Sequence, residues 1–424
     1  MLIEEIRRRF RKYHDADGYR EEHHVKMDNE AFPHTFNASG LENQIKEIID
    51  ENDDLTNIED KFYCIQPCFR RFDIENVYKS WYSIFFQMCG KCHITQNLIR
   101  ELPIYFKKHI EFFTKEIWLE PSKLWYTIFW WWKIAKFWDT IMPKDERSKK
   151  LLIDLWVSPE KIVSLENHAE KWEIDNFLVR FERDWERYAG YWIDIYYDLG
   201  GKWQLWPDDI RPWNVKWWRF VEVSTTWILD YWRVSWYWEE VELTTSPMPT
   251  IVSWLSLERL AFITQSVDSM FEIDCYDGLW KVIKSYWYSH DMNKKLLALL
   301  IPFYYIVSEW NLPWWTNTGK NRDLRLLIRN VFDLLYPLDS YEWLWEYMRQ
   351  DSKVETNRRK FFENVWLKEE SLFLRLYDVI YKNYSVIYDT LLDKTNEIIW
   401  IIRREQILYL ESKYRKLLEE WFLD

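Results

Sequence analysis

The sequence predicts an α+β protein in which a mainly antiparallel sheet flanked by helices precedes an all-helical domain. Between about residues 25 and 110, apolar and polar residues alternate in segments such as KFYCIQPCF and WYSIFFQM, which is typical of antiparallel strands. From about residue 280 onward, apolar residues recur with helical spacing instead. Because 424 residues exceed one ordinary domain, we expect an α+β domain over 1–268 and a helical domain over 269–424.

Helical and strand periodicities alternate in the first domain and give way to long helices in the second. The predicted elements, in chain order, are a helix over Ile3–Lys12, a helix over Pro103–Glu116, a strand over Lys123–Phe129, a helix over Asp145–Leu155, strands over Ile193–Tyr197 and Phe220–Tyr231, and helices over Leu255–Gln265, Lys294–Glu309, Asp323–Leu335 and Asn396–Phe422.

The composition excludes several classes of protein. Hydrophobic residues at 48% and charged residues at 30% indicate a globular chain. A net charge of −12 argues against bulk electrostatic binding to nucleic acid, but not against a local basic site. The charged N-terminus lacks the apolar core of a signal peptide, and the longest apolar run, Leu296–Val307, is shorter than the roughly 20 residues that cross a bilayer. With only five cysteines, we expect a cytoplasmic protein without a membrane partner.

Tryptophan and glycine occur in unusual numbers. The chain has 31 Trp and only 8 Gly, whereas roughly 30 glycines are expected at a usual share of about 7%. Trp118 and Trp156 follow predicted helices, at the position where a left-handed residue, usually glycine, ends a helix. We hypothesise that many of these tryptophan positions are encoded by UGA codons, which the organism reads as glycine. The alternative is a truly tryptophan-rich protein that stacks sugars or single-stranded bases on aromatic side chains.

Eight segments along nearly the whole chain resemble the motifs of the alanyl-tRNA synthetases, a family of class II aminoacyl-tRNA synthetases. IEEIRRRFRKY is similar to the opening helix of that family, and FNASGLENQIKEI to its first motif. CFRRFDIENV with YSIFFQMCG resembles the second motif, and VSWLSLERLA resembles the third motif, V-D-T-G-x-G-L-E-R-L-A. IYYDLG, RFVEV, QSVDSMFEID and the pair SEWNLP and NTGKNRDLRLLIRN follow the same order as in the family. The resemblance implies a class II catalytic fold and the reaction of an alanine–tRNA ligase.

This resemblance implies ATP-dependent activation of an amino acid, which requires charge neutralisation on phosphate. Arg70 matches the arginine that holds the α-phosphate, and Arg259 matches the one that holds the tail of ATP. Planar guanidinium groups suit such bidentate contacts. The other residues implied in ATP binding are Phe85 or Phe86, which would stack on adenine, Gln87 and Glu222. Mg²⁺ prefers oxygen ligands, and Asp194 and Glu222 are the candidates.

The implied amino-acid pocket departs from the family pattern. It contains Trp172, Thr225 and Val252. Val252 replaces the family aspartate that holds the substrate amino group, and a valine cannot pair with an ammonium. Alanine is the implied substrate. The alternatives are a paralogue that activates another amino or carboxylic acid, or a non-catalytic tRNA-binding module.

The helical part resembles the tRNA-recognition region of the same family. Asn317 matches the asparagine that reads the acceptor stem of tRNA. Arg322, Arg325 and Arg329 have the spacing of one helix face, which suits a phosphate backbone. An apolar stripe is predicted on the opposite face, at Leu324, Leu327, Ile328 and Val331. A solvated charged face is the alternative interpretation.

The cysteines allow a further interpretation. Cys64, Cys68, Cys89 and Cys92 could form a tetrahedral zinc site if two strands face each other, whereas packed thiols are the alternative. Cys89 to His93 also spells the C-x-x-C-H pattern of haem attachment, which requires an oxidising compartment that this chain gives no reason to expect.

Overall fold

A computed structural model describes the chain over 1–29, 36–38, 40–70, 81–129, 132–133, 141–142, 145–165, 178–183, 186–200, 219–234, 242–286, 288–309, 319–336, 371–388 and 391–421. The chain divides into two compact units. The first comprises Met1–Val25, Ser39–Pro67 and Phe86–Ile273 and contains most of the sheet. The second comprises Lys26–Ala38, Cys68–Phe85 and Asp274–Asp424. The domain division at 268 stays a prediction, and the unit of C-terminal helices also includes two segments from the N-terminal part.

The described strands are short at the edges of the sheet and long in its centre. They are β1 Arg20–Glu21, β2 Asp60–Phe69, β3 Phe85–Ile94, β4 Leu124–Phe129, β5 Trp132–Lys133, β6 Ile141–Met142, β7 Ile162–Leu165, β8 Leu178–Arg183, β9 Glu186–Asp198, β10 Phe220–Val234 and β11 Glu242–Ser256.

Nine strands form one sheet in the order β1-β2-β3-β11-β10-β9-β4-β7, with β8 paired to β9. The central pairs, from β3–β11 to β9–β4, are antiparallel, as predicted. The pairs β1–β2 and β4–β7 are parallel. The helix α4, Glu146–Asp154, lies between β4 and β7 in sequence, and a parallel pair needs such a crossover connection.

The α+β fold class is confirmed. The helices of the first unit are α1 Ile3–Ala16, α2 Glu42–Glu51, α3 Leu98–Glu111, α4 and α5 Leu257–Gln265. The later helices are α6 Asp277–Lys284, α7 His290–Glu309, α8 Gly319–Leu335, α9 over 371–385 and α10 Thr395–Trp421. Each predicted helix and strand overlaps an observed element. For most helices, the predicted and observed ends differ by only a few residues. The predicted apolar stripe on α8 is also confirmed, because its four residues are fully buried.

The helix predicted from Pro103 begins earlier, at Leu98. Asn97 caps it by accepting a hydrogen bond from the backbone of Arg100, which satisfies one of the free amides of the first turn. Pro103 then lies inside the helix. The Asn97 cap explains the earlier start, and Pro103 lacks the N–H that would bond to the Ile99 carbonyl.

Trp118 and Trp156 adopt the left-handed backbone conformation that favours glycine. Their φ angles are 63° and 67°. Trp156 ends α4 with the two hydrogen bonds of a Schellman motif, in which the Trp156 amide donates to Ile153 and the Val157 amide to Leu152. Trp156 is 93% exposed, so its ring gains almost no burial in return. This geometry supports the glycine hypothesis at both positions.

Gly190 shows the opposite case, a glycine that the packing of the sheet requires. A Cβ at this position would lie 1.8 Å from the carbonyl oxygen of Ile228 on β10. Any side chain would therefore force β9 and β10 apart.

The cysteines are free thiols, four of them buried. No group of three or more His, Cys, Asp or Glu residues in the described part of the chain could hold a metal ion. The zinc interpretation is therefore wrong for the described cysteines, and they are packed thiols. No described helix is long and apolar enough to cross a membrane.

Candidate active site

The register of the central strands places the predicted pocket residues on one face of the sheet. Thr225 on β10 pairs with Asp194 on β9 and with Trp254 on β11. Val252 lies two residues before Trp254, on the same face, because side chains alternate along a strand. The sheet therefore brings together Asp194, Thr225 and Val252, which are far apart in sequence.

Asp194 accepts hydrogen bonds from three side chains. The Thr225 hydroxyl donates to Asp194 Oδ1 at 2.7 Å. Trp192 Nε1 donates to Asp194 Oδ2 at 3.1 Å, and the Thr127 hydroxyl donates to the same oxygen at 3.2 Å. These donors lie on β4, β9 and β10, and together they fix the orientation of the Asp194 carboxylate.

A second carboxylate lies beside Asp194. Glu222 Oε1 is 3.2 Å from the Thr225 hydroxyl oxygen, so both carboxylates approach one hydroxyl that can donate only one proton. Burial, reinforced by the negative charge of Glu222, raises the pKa of Asp194 well above its ordinary range. The pair therefore favours a cation or a bound proton between its oxygens.

Arg259 is held against this pair from the first turn of α5. Ser256 caps the helix, and its hydroxyl accepts a hydrogen bond from the Arg259 amide at 3.3 Å. Arg259 Nη1 donates to the Glu222 carbonyl oxygen at 3.0 Å and lies 3.3 Å from Glu222 Oε1. The structure thus brings together four of the predicted site residues: Arg259 contacts Glu222 directly, and the Thr225 hydroxyl lies between Glu222 and Asp194.

Gln87 lies in a buried network on the opposite face of β3. Its backbone amide donates to both carboxylate oxygens of Glu258, at 2.9 and 3.0 Å. Its side-chain carbonyl accepts a hydrogen bond from Arg7 of α1, and its side-chain amide donates to Glu258 at 3.2 Å. Burial raises the pKa of Glu258 to about 7. Gln87 therefore links α1 to the residue before Arg259.

The two predicted adenine-stacking candidates lie in different units. Phe85 belongs to the second unit, where its ring contacts Tyr305 at a centroid distance of 4.9 Å and Tyr384 at 5.8 Å. Phe86 belongs to the first unit. Strand alternation puts it on the face of Met88 and Gly90, and Gly90 pairs with Trp254. Phe86 is therefore the candidate on the face of Thr225 and Asp194.

Apolar side chains surround the position where the family has its motif 3 aspartate. Val252 is fully buried. Trp254 is 8% exposed, and its ring contacts Trp227 edge to face at 4.5 Å. In the described part of the chain, the buried Trp254 Nε1 finds no acceptor. The surroundings of Val252 therefore match a neutral, apolar group better than an ammonium.

The two other predicted residues are Trp172 and Arg70. Trp172 lies outside the described residues. Arg70 belongs to the second unit, where its backbone amide donates to the Ile84 carbonyl at 2.8 Å.

The arginines of α8 differ in their exposure. Arg322 and Arg329 are exposed. The side chain of Arg325 is only 12% exposed and lies 3.6 Å from Glu405 Oε1, while Arg329 lies 3.8 Å from Glu405 Oε2. The Glu405 carboxylate is buried. Arg325 thus forms an internal ion pair with α10, and Asn317 lies outside the described residues.

Sequence patterns did not single out several residues of the site. Thr127, Trp192 and Trp227 reach it only because of strand register. Arg7 lies among other charged residues of α1, but its position four residues after Ile3 and three before Phe10 puts it on the buried face of the helix. Trp227 could have been found from the sequence, because it lies two residues after Thr225 on the same predicted strand and therefore on the same face.

The chain is similar in sequence to aminoacyl-tRNA synthetases, as the order of its motifs predicts. More particularly, the curated relatives are alanine–tRNA ligases, so the predicted resemblance is confirmed. The alanine–tRNA ligase of Francisella tularensis subsp. tularensis (strain WY96-3418) is 23% identical over 359 residues, which cover 78% of this chain and 36% of the relative. That of Francisella philomiragia subsp. philomiragia is 23% identical over 358 residues, covering 77% and 35%. The chain therefore spans well under half the length of these relatives.

Similar solved structures are synthetases as well. A histidyl-tRNA synthetase from S. aureus aligns with 64% of this chain and 68% of its own, with 13% identity and a TM-score of 0.35. The RNA binding domain of threonyl-tRNA synthetase from Cryptosporidium parvum Iowa II aligns with 62% and 64%, with 10% identity and a TM-score of 0.39. No protein-family model matches the chain.

Proposed function

We propose that the chain activates an amino acid with ATP and transfers it to tRNA, in the manner of an alanine–tRNA ligase. The observation that supports this most is the contact of Arg259 on α5 with a cluster of Glu222, Thr225 and Asp194 on one sheet face, in a chain whose motifs follow the order of that family. A cationic group beside two carboxylates is the arrangement that nucleotide phosphates with a divalent cation require. The proposed setting is the cytoplasm.

The proposed reaction needs positioning and charge neutralisation rather than a covalent enzyme intermediate. A carboxylate oxygen of the amino acid attacks the α-phosphorus of ATP, a new P–O bond forms, and pyrophosphate leaves with the electrons of the broken P–O bond. Arg259 would hold the leaving phosphates and Phe86 would stack on adenine, while the α-phosphate role of Arg70 rests on its motif alone. Gln87 would position Arg259 through Glu258. Preorganised charges of this kind stabilise the transition state without reorganisation during the reaction.

Magnesium fits the pair of carboxylates in the first unit. Asp194 and Glu222 offer oxygen ligands that converge on one hydroxyl, and Mg²⁺ usually takes one or two carboxylates together with phosphate oxygens and waters. When bound, the ion would neutralise charge on the phosphates. Glu222 would also orient Arg259.

The second unit would bind the acceptor stem of tRNA. The exposed Arg322 and Arg329 are suited to phosphate contacts. Asn317 remains the proposed reader of the stem. Arg325 would support the helix face through Glu405, because its guanidinium is largely buried.

Val252 favours a second candidate, a paralogue that activates a different acid. Val252 is fully buried beside Trp254 and Trp227 and offers no charge to a substrate ammonium. A carboxylic acid without an amino group, or one whose amino group lies elsewhere, would fit this surface better than alanine. Alanine remains the first substrate to test.

ATP–pyrophosphate exchange with a panel of amino and carboxylic acids tests the proposal. We expect exchange that falls roughly 100-fold or more in Arg259→Ala, because one lost transition-state contact costs about that factor. Arg100→Ala is the matched control, because Arg100 is 73% exposed and only loosely paired with Glu101. It should retain full exchange.

The identity of the best substrate separates the candidates. Alanine as the best acid would support the alanine–tRNA ligase, and another acid would support the paralogue. Binding of tRNA without exchange for any acid would leave a non-catalytic tRNA-binding module and refute both enzymatic proposals.

A further inference from the structure

A cleft of about 360 Å³ opens at the edge of the sheet in the first unit, away from the cluster around Asp194. His93 lies one residue beyond Cys92, which pairs with Val252, so alternation directs His93 to the other sheet face. The cleft is lined by Gly18, Arg20, Glu59, Asp60, Lys61 and His93.

The acidic residues of this cleft are already hydrogen-bonded within the protein. Asp60 accepts hydrogen bonds from Arg20 and from the Lys61 amide, the latter at 2.8 Å. Glu59 accepts from the Gln96 amide at 2.7 Å. Asp60 is therefore neutralised by Arg20, whereas the donors to Glu59 are neutral and hold its carboxylate toward Thr95 and Gln96.

The basic residues are in the opposite situation. The Lys61 ammonium lies 5.8 Å from the centre of the Tyr19 ring, and it forms no ion pair with any residue that the structure describes. His93 is 4% exposed and packs near the rings of Tyr19 and Tyr105. Its ring nitrogens form no hydrogen bond with the described residues.

A further positive charge lies behind His93. Lys91 is 3% exposed, and its ammonium lies 3.9 Å from the centre of the Tyr105 ring and 6.0 Å from that of Tyr19. Burial lowers the pKa of Lys91 to about 7. Burial, together with the charges of Lys61 and Lys91, lowers the pKa of His93 to about 4. The carboxylate of Asp17 offsets part of this positive charge, and an anion in the cleft would offset more of it.

We propose that this cleft binds a small phosphate-bearing anion between Lys61 and His93, with Arg20 at its rim. Lys61 supplies an ammonium that has no carboxylate partner among the described residues, and His93 supplies a buried ring nitrogen. The guanidinium of Arg20 retains N–H groups beyond those that its two carboxylate partners use. The site lies outside the proposed ligase site and does not depend on it.

Histidine NMR on the full chain tests this site directly. With 8 histidines in the chain, the His93 signal can be assigned by its loss in His93→Gln. Inorganic phosphate is added to the protein at constant ionic strength, and a parallel titration with chloride is the control. We expect a saturable shift of the His93 signal, which Lys61→Met weakens roughly tenfold because it removes a charge-assisted contact.

The matched control is Lys115→Met, because Lys115 is 68% exposed and pairs with Glu111. It should bind phosphate as the parent does, and Lys61→Arg should retain binding. A second titration with 5′-AMP identifies the kind of ligand. Tighter binding of 5′-AMP than of inorganic phosphate would indicate a nucleotide ligand, and weaker binding would indicate free phosphate. An unsaturable shift, an equal response to chloride, or an equal loss in Lys115→Met would overturn the proposal.

Discussion

At the scale of single residues, Trp118 and Trp156 have side chains that their backbone conformation disfavours. A Cβ in the left-handed region approaches the next carbonyl oxygen and costs about 1–2 kcal/mol. The Trp156 ring is 93% exposed, so packing offsets little of this cost there, whereas the Trp118 ring is 67% exposed and has the Arg9 guanidinium 4.4 Å from its centre. Glycine would avoid it, which is the physical reason to suspect reassigned UGA codons in this gene.

Trp156→Gly should therefore raise the free energy of unfolding by about 1 kcal/mol, once the larger entropy of the glycine chain is included. Urea denaturation measures this change. Trp400→Gly is the matched control, because Trp400 is 51% exposed on α10. It should lower the free energy by about 0.5–1 kcal/mol, since glycine disfavours a helix interior. Destabilisation by Trp156→Gly, or UGG codons at most of these positions, would contradict the glycine hypothesis.

At the scale of elements, α1, β3 and α5 meet through Arg7, Gln87 and Glu258. Arg7 is 2% exposed and donates a hydrogen bond to the side-chain carbonyl of Gln87. The backbone amide of Gln87 in turn donates to the Glu258 carboxylate. Because Glu258 precedes Arg259, this contact fixes the first turn of α5 relative to β3. The N-terminal helix thus supports the site, although none of its residues belongs to the cluster around Asp194.

Arg7→Met should lower the free energy of unfolding by about 1–3 kcal/mol, because the buried carbonyl of Gln87 loses its donor. Arg8→Met changes an arginine that is 60% exposed and pairs with Glu5 on the surface. The change in this control should stay within about 0.5 kcal/mol. Equal effects of both substitutions in chemical denaturation would show that the network contributes nothing.

At the scale of the whole molecule, buried bases make stability depend on pH. The pKa of Lys91 is about 7 in the folded chain and 10.5 in the unfolded reference. Between these values the unfolded chain binds more protons, so the free energy of unfolding rises with pH by at most about 1.4 kcal/mol per unit from this group. Below pH 7 both states are protonated, and the burial penalty is fully present.

Lys91→Met should remove this contribution. Relative to the parent, the variant should gain stability at pH 6 and lose that advantage toward pH 10. Denaturation curves at several pH values measure the difference, with Lys115→Met as the exposed control. A constant difference between parent and Lys91→Met across this range would contradict the prediction.

Element type and order could be predicted because they follow from local patterns. The helices Leu257–Gln265 and Thr395–Trp421 differ from their predicted bounds by only one or two residues, since apolar spacing and capping residues lie within each segment. The parallel β4–β7 pair was not predicted, because the direction of a pair depends on where the chain returns after a crossover.

The sequence by itself determined the class of fold, the order of its helices and strands, the glycine-like positions 118 and 156, and the resemblance that named Arg259, Glu222 and Asp194. Only the tertiary structure decided that Thr225 joins the two carboxylates, that Arg325 pairs with Glu405, and that Gln87 connects α1 to α5. Local patterns determine the first group because they act within one turn or one strand. The second group depends on contacts between residues far apart in the chain, which exist only once the sheet register and the helix packing are formed.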